Sequence, residues 1–207
     1  MEVDDDLGRR LVGCLSAILR SSSVDALRTL ARACEPSCDE RTIDLEVFFF
    51  HRFLVVQSCA VVFSQSVMNR AAAAFYKALE VLLTEDDVEA QSYDAQFIRR
   101  RISTTDTTLT ELEKVWVVRA REYEEPFYLD ADEFLDEEFR KKHPGHLPFK
   151  RMVTRFSHNL GEASDAAKGF DALPSEAVDA CVQVGGAFGV LFKAVGEELR
   201  AYFGKGS

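Results

Sequence analysis

Proline and glycine are scarce in this chain, which has only 5 prolines and 11 glycines among 207 residues. Both residue types interrupt helices and concentrate in turns and loops. Their scarcity argues against a loop-rich fold and favours long regular elements. A hydrophobic content of 47% is ample for a buried core in a chain of this length.

The chain also lacks an excess of positive charge. Its net charge of −10 disfavours sequence-independent binding to nucleic acid, because that mode of binding depends on a cationic surface. Basic residues do gather locally, at positions 99–101 and between positions 140 and 155. We therefore expect any contact with a phosphate-bearing partner at a local site rather than over the whole surface.

Recognisable metal and cofactor motifs are missing as well. The 5 cysteines are an odd number and no secretory signal is apparent, which favours reduced thiols and a cytoplasmic location. Cys34 and Cys38 have no second pair of ligands nearby, so we do not expect a zinc site. His143 and His146 lie in a Pro-Gly loop and belong to neither an HExxH nor a Glu-x-x-His motif. The sequence predicts no metal ion and no cofactor.

One long apolar stretch, from Val47 to Phe63, organises the rest of the chain. Its residues are apolar on almost every face of a helix, which is typical of a helix surrounded by other helices. Arg52 lies inside the stretch and argues against a membrane span. Four polar residues in or beside the stretch recur at seven-residue spacing and form a stripe: Asp44, His51, Ser58 and Gln65. Within this stripe, His51 fits either an interior ligand or proton site or a core histidine satisfied by hydrogen bonds.

The helical pattern around this stretch continues from Arg41 to Leu83. One straight helix of that length would measure about 65 Å. A compact domain of this size has a radius of gyration of roughly 17 Å, so an unbroken rod would protrude. We therefore expect an end or a kink between Ser64 and Ala71.

The remaining segments also have the three- and four-residue apolar spacing of amphipathic helices. Pro126 is expected to end one of them, with a new short helix starting near Asp130. The sequence as a whole predicts an all-α fold, with a single domain over residues 1–207. This domain is a bundle of about seven to nine helices around the buried central helix. An N-terminal helical hairpin, residues 1–38, is expected to pack on a bundle formed by residues 41–203.

Three glycines on one side of the last helix predict a close neighbour. Gly185, Gly189 and Gly196 lie inside an otherwise helical pattern, where each costs about 1 kcal/mol relative to alanine. Such a cost suggests the close approach of another backbone, from the same bundle or from a second subunit. A ligand channel is the alternative. We expect a protein partner or a homodimer, and no membrane.

The best candidate for chemistry is the segment from Lys150 to Gly161. His158 lies three residues after Arg155 and seven after Arg151, so on a helix all three side chains project to one side. Guanidinium groups bind phosphate bidentately, and an imidazole can move a proton near neutral pH. RNA cleavage by attack of its own 2′-hydroxyl needs only such groups. The alternative is a solvated helix face with a hydrogen-bonded histidine.

The same region carries a resemblance to a known family. A buried helix with AAAAFYKALEVLL, a variable segment, SHNLGEASDAA, a Leu-Pro and a final amphipathic helix together resemble the HEPN superfamily of helical bundles. The resemblance covers roughly residues 41–203. It implies a helical-bundle fold, frequent dimerisation and a binding or interaction role with a protein or nucleotide-like partner.

The resemblance also implies an alternative function, that of a metal-independent ribonuclease. Ribonuclease members of the family have an arginine followed by a histidine, and Arg151 and His158 are similar in spacing. The family usually has a polar residue after that arginine, whereas this chain has Met152. Under this alternative Arg151 and His158 would be catalytic. The residues expected to hold phosphate are Lys150, Arg155, Asn159, Arg99 and Arg100.

Overall fold

The computed structural model describes residues 2–62, 65–84, 93–102, 109–135, 137–138, 149–161 and 169–204. These residues form eight α-helices and one short 3₁₀ helix, Phe170–Ala172, and they include no β-strand. In chain order the helices are α1 (Glu2–Ile18), α2 (Ser22–Cys34), α3 (Glu40–Val62), α4 (Gln65–Thr84), α5 (Tyr93–Ile102), α6 (Leu109–Leu135), α7 (Lys150–Leu160) and α8 (Glu176–Phe203). The predicted all-α helical bundle is confirmed.

The chain divides into two compact units. Unit 1 comprises residues 1–20, 51–113 and 188–207, and unit 2 comprises residues 21–50 and 114–187. Helices α1 and α2 fall in different units, and the predicted single domain, with a hairpin at 1–38 packed on a bundle at 41–203, stays a prediction.

Unit 1 is built on the packing of α1 against α4 and α5. The apolar face of α1 is buried as its periodicity predicts, including Leu7, Leu11 and Leu15 at 0% exposure. Gly8 lies where α4 comes closest, since a Cβ at this position would be 2.4 Å from the carbonyl oxygen of Ala74. A side chain at position 8 would therefore collide with the backbone of α4.

Unit 2 has an aromatic core contributed by three helices. The ring of Phe50 in α3 makes edge contacts with Tyr123 in α6 and Phe156 in α7, with ring centroids 5.1 and 5.8 Å apart. Edge-to-face pairs of this kind add to the stabilisation from burial alone. They fix α6 and α7 against the first part of α3.

Helix α3 is more deeply buried than its polar stripe suggests. His51 and Ser58 are fully buried, and Arg52 is only 2% exposed. The Ser58 hydroxyl donates to the Leu54 carbonyl oxygen at 2.8 Å, one turn earlier. In unit 1, both Nη atoms of Arg52 donate to the Glu113 carboxylate, at 2.9 and 3.2 Å. Polar residues at this helix surface are therefore buried with partners rather than turned to solvent.

The predicted interruption between α3 and α4 falls beside residues that the structure does not describe. Helix α3 ends at Val62 and α4 begins at Gln65, and the sequence predicts an end or a kink between Ser64 and Ala71. Residues 63 and 64 lie outside the described residues. The segment from 41 to 83 therefore contains two helices.

The prediction that Pro126 ends a helix is wrong. Helix α6 continues from Leu109 to Leu135 with Pro126 inside it. A proline in a helix interior loses one backbone hydrogen bond and clashes with the preceding turn. Tyr123 and Phe127, on either side of it, are fully buried, and their packing outweighs the local propensity.

Helix α7 begins from an unusual backbone conformation. Phe149, which precedes it, has φ 66°, in the left-handed region that a bulky residue rarely adopts. Its ring is buried, lies 6.4 Å from the Phe127 ring, and rests on Gly185 of α8. A Cβ at Gly185 would be 3.4 Å from the Phe149 ring, so this glycine accommodates a side chain rather than the predicted backbone.

The other two glycines predicted to approach a neighbour behave differently. Among the described residues, none lies within 4 Å of a Cβ built at Gly189, and the nearest atoms to a Cβ at Gly196 belong to the side chain of Arg200, one turn further along α8. Among the described helices, α8 is also the one long and apolar enough to cross a membrane, with 28% of its apolar window buried. One such helix is weak evidence for a membrane span, because length and composition alone also select core helices of soluble proteins.

Candidate functional site

A groove in unit 2 brings together most of the charged residues singled out on α7. It has a volume of about 450 Å³ and is lined by residues of α6 and α7: Arg121, Glu122, Glu125, Pro126, Arg151, Thr154, Arg155 and His158. This volume falls within the range of small-molecule sites, roughly 300–1,000 Å³. The groove is therefore large enough for a phosphate group with part of the molecule that carries it.

Helix α7 supplies one wall because its two faces differ in character. Met152, Val153 and Phe156 are fully buried and fix the helix against unit 2. The opposite face carries Arg151 and Arg155, which are intermediate in exposure. The amphipathic sequence of α7 therefore determines which of its residues line the groove.

The surroundings of His158 keep its imidazole largely neutral at pH 7. Partial burial lowers this pKa below its ordinary value of 6.5, and the positive charge of Arg155 lowers it further. The imidazole is consequently neutral at pH 7. A neutral imidazole can accept a proton or donate a hydrogen bond, but it adds no charge to the groove.

Arg155 is partly engaged and partly available. Its Nη2 forms an ion pair with the Glu122 carboxylate on α6. Its Nε is buried and has no hydrogen-bond acceptor among the described residues. A buried N–H without an acceptor is costly, so an anion reaching this nitrogen would be stabilised.

Beneath the groove lies a network centred on a buried carboxylate. Glu46 of α3 is 4% exposed and accepts hydrogen bonds from Tyr123, from Asn159 Nδ2 at 2.9 Å and from Arg119 Nε at 2.7 Å. Burial raises the pKa of Tyr123, and the Glu46 carboxylate raises it further, so the phenol stays protonated and donates.

The network reaches the groove through Arg119. Its Nη1 donates to Glu122 at 2.7 Å, and its Nη2 donates to the backbone carbonyl of Asn159 at 3.3 Å. Glu122 in turn pairs with Arg155. A chain of ion pairs thus connects a buried acid of α3 to a cation of the groove wall.

The structure places the sequence candidates in different positions. Arg151, Arg155 and His158 line the same groove. Asn159 donates instead to the buried Glu46, and Lys150, at the first position of α7, is absent from the groove lining. Arg99 and Arg100 lie on α5 in unit 1.

None of the candidate residues predicted from the sequence lies on α6. This helix nevertheless contributes Arg121, Glu122 and Glu125 to the groove, from a stretch of sequence that is rich in acidic residues. The separation of Arg119 and Glu122 by three residues is a local signal for an ion pair on one helix face. The pairing of Glu122 with Arg155 carries no such signal, because it joins two separate helices.

The described residues contain no group of three or more His, Cys, Asp or Glu that could hold a metal ion. His143 and His146 lie outside the described residues. The chain matches no known protein family, no curated protein and no solved structure.

Proposed function

We propose that this protein is a helical binding module of the HEPN type whose groove between α6 and α7 takes a phosphate-bearing ligand such as a nucleotide. The observation that carries the proposal is the lining of one groove by Arg121, Arg151, Arg155 and His158. Arginine is the side chain best suited to bidentate recognition of phosphate.

The charge balance of the groove supports an anionic ligand. Three arginines face two carboxylates, Glu122 and Glu125, and the nearby Arg119 also pairs with Glu122. The groove is thus locally cationic on a protein whose net charge is −10. This contrast favours a localised phosphate site over a broad nucleic-acid surface.

The test is the binding of inorganic phosphate and AMP, followed by NMR chemical shifts and calorimetry. Arg151→Gln should weaken binding by about tenfold, because it removes a charged hydrogen-bond donor from the groove. Arg32→Gln, at an exposed position of α2 in the same unit and outside the groove lining, is the matched control and should leave affinity unchanged. Undiminished binding by Arg151→Gln, with its thermal stability intact, would contradict the proposal.

A second candidate, metal-independent cleavage of RNA, is favoured by the presence of a neutral His158 and Arg151 in the same groove. His158 would accept the proton of a 2′-hydroxyl while that oxygen forms a bond to the adjacent phosphorus and the bond to the 5′-oxygen breaks. The 5′-oxygen takes a proton from water, and His158 returns its own proton to solvent. Arg151 would stabilise the charge on the phosphate oxygens.

Cleavage is tested with single-stranded RNA in the presence of EDTA. If this candidate is correct, His158→Ala abolishes cleavage without lowering the melting temperature, and the products end in a 2′,3′-cyclic phosphate and a 5′-hydroxyl. His158→Gln is the control for the loss of the proton acceptor with a polar side chain kept in place. Absence of cleavage over a broad panel of RNAs rejects this candidate while leaving phosphate binding open to its own test.

A further inference from the structure

We propose that Glu122 is an internal competitor that lowers the affinity of the groove for every phosphate ligand, so that a phosphate monoester, which carries more charge, still binds while a phosphodiester binds only weakly. This inference rests on the proposed phosphate-binding function and narrows its ligand class. A monoester phosphate carries close to two negative charges at neutral pH, whereas a diester carries one. A 5′-nucleotide is a ligand of the selected class.

In the free protein, Glu122 on α6 forms an ion pair with Arg155 on α7. Glu122 is 22% exposed and Arg155 is 35% exposed, so the pair is partly shielded from water. Charge interactions are stronger there than at a fully exposed surface. In the free protein one cation of the groove wall therefore already holds an anionic group.

A phosphate that binds Nη2 of Arg155 as well as the neighbouring Nε must displace Glu122 from this nitrogen. A diester carries one negative charge and replaces the single charge of the displaced Glu122 carboxylate. The exchange therefore contributes little to the free energy of binding. A monoester supplies close to two, and it can engage Arg151 as well as Arg155. The neutral His158 adds a hydrogen bond without adding charge. The cost of displacing Glu122 is the same for both ligands, so Glu122 lowers both affinities, and the larger charge of the monoester decides which ligand still binds.

The exchange is feasible because Glu122 keeps a second partner. Arg119 Nη1 lies 2.7 Å from Glu122 Oε2 and stays beside it when Arg155 turns to a ligand. Arg119 is itself held in place by the buried Glu46, whose Oε2 lies 2.7 Å from its Nε. Release of Arg155 therefore leaves no uncompensated carboxylate, which would be far more costly.

The decisive comparison is between AMP and 3′,5′-cyclic AMP, which share a base and a ribose but carry a monoester and a diester respectively. Calorimetry on the full chain at pH 7.5 should give AMP an affinity at least about tenfold higher. Equal affinities would overturn this inference and leave the proposed function standing. Failure of AMP, cyclic AMP and inorganic phosphate to bind would instead overturn the proposed function itself.

Glu122→Gln tests the competitor directly. This substitution keeps the shape of the side chain but removes its charge, so the affinity for cyclic AMP should rise by at least about fivefold. Glu122→Asp, which keeps the charge but shortens the reach toward Arg155, should give a smaller gain and provides a second variant if the first does not fold.

Glu125→Gln is the matched control, because it removes the same charge from the same groove at a residue for which no pairing with Arg155 is seen. Its gain in affinity for cyclic AMP should be clearly smaller than that of Glu122→Gln. Equal gains would show that groove charge alone matters and would overturn the exchange. Asp171→Asn, outside the groove in the same unit, sets the baseline for any general charge effect.

Discussion

Glu46 is a single buried residue that holds together the helices of the candidate site. Its carboxylate is almost fully buried, yet it accepts hydrogen bonds from Tyr123, Asn159 and Arg119. A buried carboxylate without such donors would be strongly destabilising. The three donors come from two other helices, so one acid connects α3 to both walls of the groove.

Removing one of these donors should reduce stability by a measurable amount. Tyr123→Phe deletes the hydroxyl but keeps the ring that packs against Phe50, and Glu46 retains two donors. We expect a loss of about 1–2 kcal/mol in the free energy of unfolding. For a chain of this size, this corresponds to a fall of roughly 2–8 °C in melting temperature.

Tyr128→Phe is the control for the Tyr123 substitution. Tyr128 lies on the same helix but is 43% exposed, so its hydroxyl can bond to water. Thermal unfolding followed by circular dichroism should show no significant shift for this variant. Equal shifts for the two variants would mean that the buried hydrogen bond to Glu46 does not contribute.

His158 should titrate below 6.5, and Arg155 should account for only part of the shift. Because burial is the larger cause and Arg155 the smaller, Arg155→Gln should raise the pKa of His158 without restoring its ordinary value. The measurement is an NMR titration of the imidazole resonances. Arg32→Gln, in the same unit but outside the groove lining, should leave the titration unchanged. A midpoint above 6.5 in the unsubstituted protein would contradict the burial of this side chain.

The same shift determines how His158 affects stability. Since its pKa is lower in the folded state, the unfolded state binds the proton first as the pH falls below 6.5. The contribution of His158 therefore destabilises the protein progressively between 6.5 and the folded-state pKa. Above pH 6.5 the residue is neutral in both states and contributes no pH dependence.

At the scale of whole helices, the spacing of apolar residues predicts local helical structure but not the contacts between helices. The pattern that predicts helix from Phe149 to Leu160 closely matches α7, Lys150–Leu160, because one face of that helix is buried and the other is not. It fails at Pro126, where the packing of Tyr123 and Phe127 decides. The placement of Arg151 and His158 on one side follows from helix geometry alone. The pairing of Glu122 with Arg155 depends on the packing of two helices, which no local pattern encodes.

Two glycines at helix surfaces should respond in opposite directions to alanine. At Gly8 a Cβ would lie 2.4 Å from the Ala74 carbonyl oxygen and 2.8 Å from the Ala78 Cβ, so Gly8→Ala forces α1 away from α4. We expect a loss of about 1–3 kcal/mol in the free energy of unfolding. At Gly189 a Cβ would meet none of the described residues within 4 Å, and Gly189→Ala should gain about 0.5–1 kcal/mol through helix propensity.

Urea unfolding of both variants provides the measurement, and each serves as the control for the other. The Gly189 variant also bears on the predicted homodimer. If a second copy covers Gly189 in solution, alanine should weaken self-association in light scattering and the expected gain in stability should not appear. A gain in stability with an unchanged molar mass would instead show that this position is not covered.

At the scale of the whole molecule, the net negative charge limits where an anionic ligand can bind. The chain carries 35 acidic and 25 basic residues, and its pI is about 5.0. The net charge therefore repels an anionic ligand at long range, whereas the groove, where arginines outnumber carboxylates, attracts it locally. Salt should screen both interactions, so the dependence of affinity on salt reports how many cations the ligand actually meets.

The affinity for a 5′-phosphorylated single-stranded RNA of ten nucleotides should depend only weakly on salt. Each phosphate neutralised on a single strand contributes a slope of about −0.7 to a plot of log affinity against log salt. The groove offers three arginines, Arg121, Arg151 and Arg155, so the slope should be no steeper than about −2. Fluorescence anisotropy at several salt concentrations measures this slope.

The same RNA with a 5′-hydroxyl should bind more weakly, because it lacks the monoester phosphate that the groove is proposed to bind. A slope of about −4 or steeper would require more phosphate contacts than the groove can supply, and would place RNA binding on another surface of the protein.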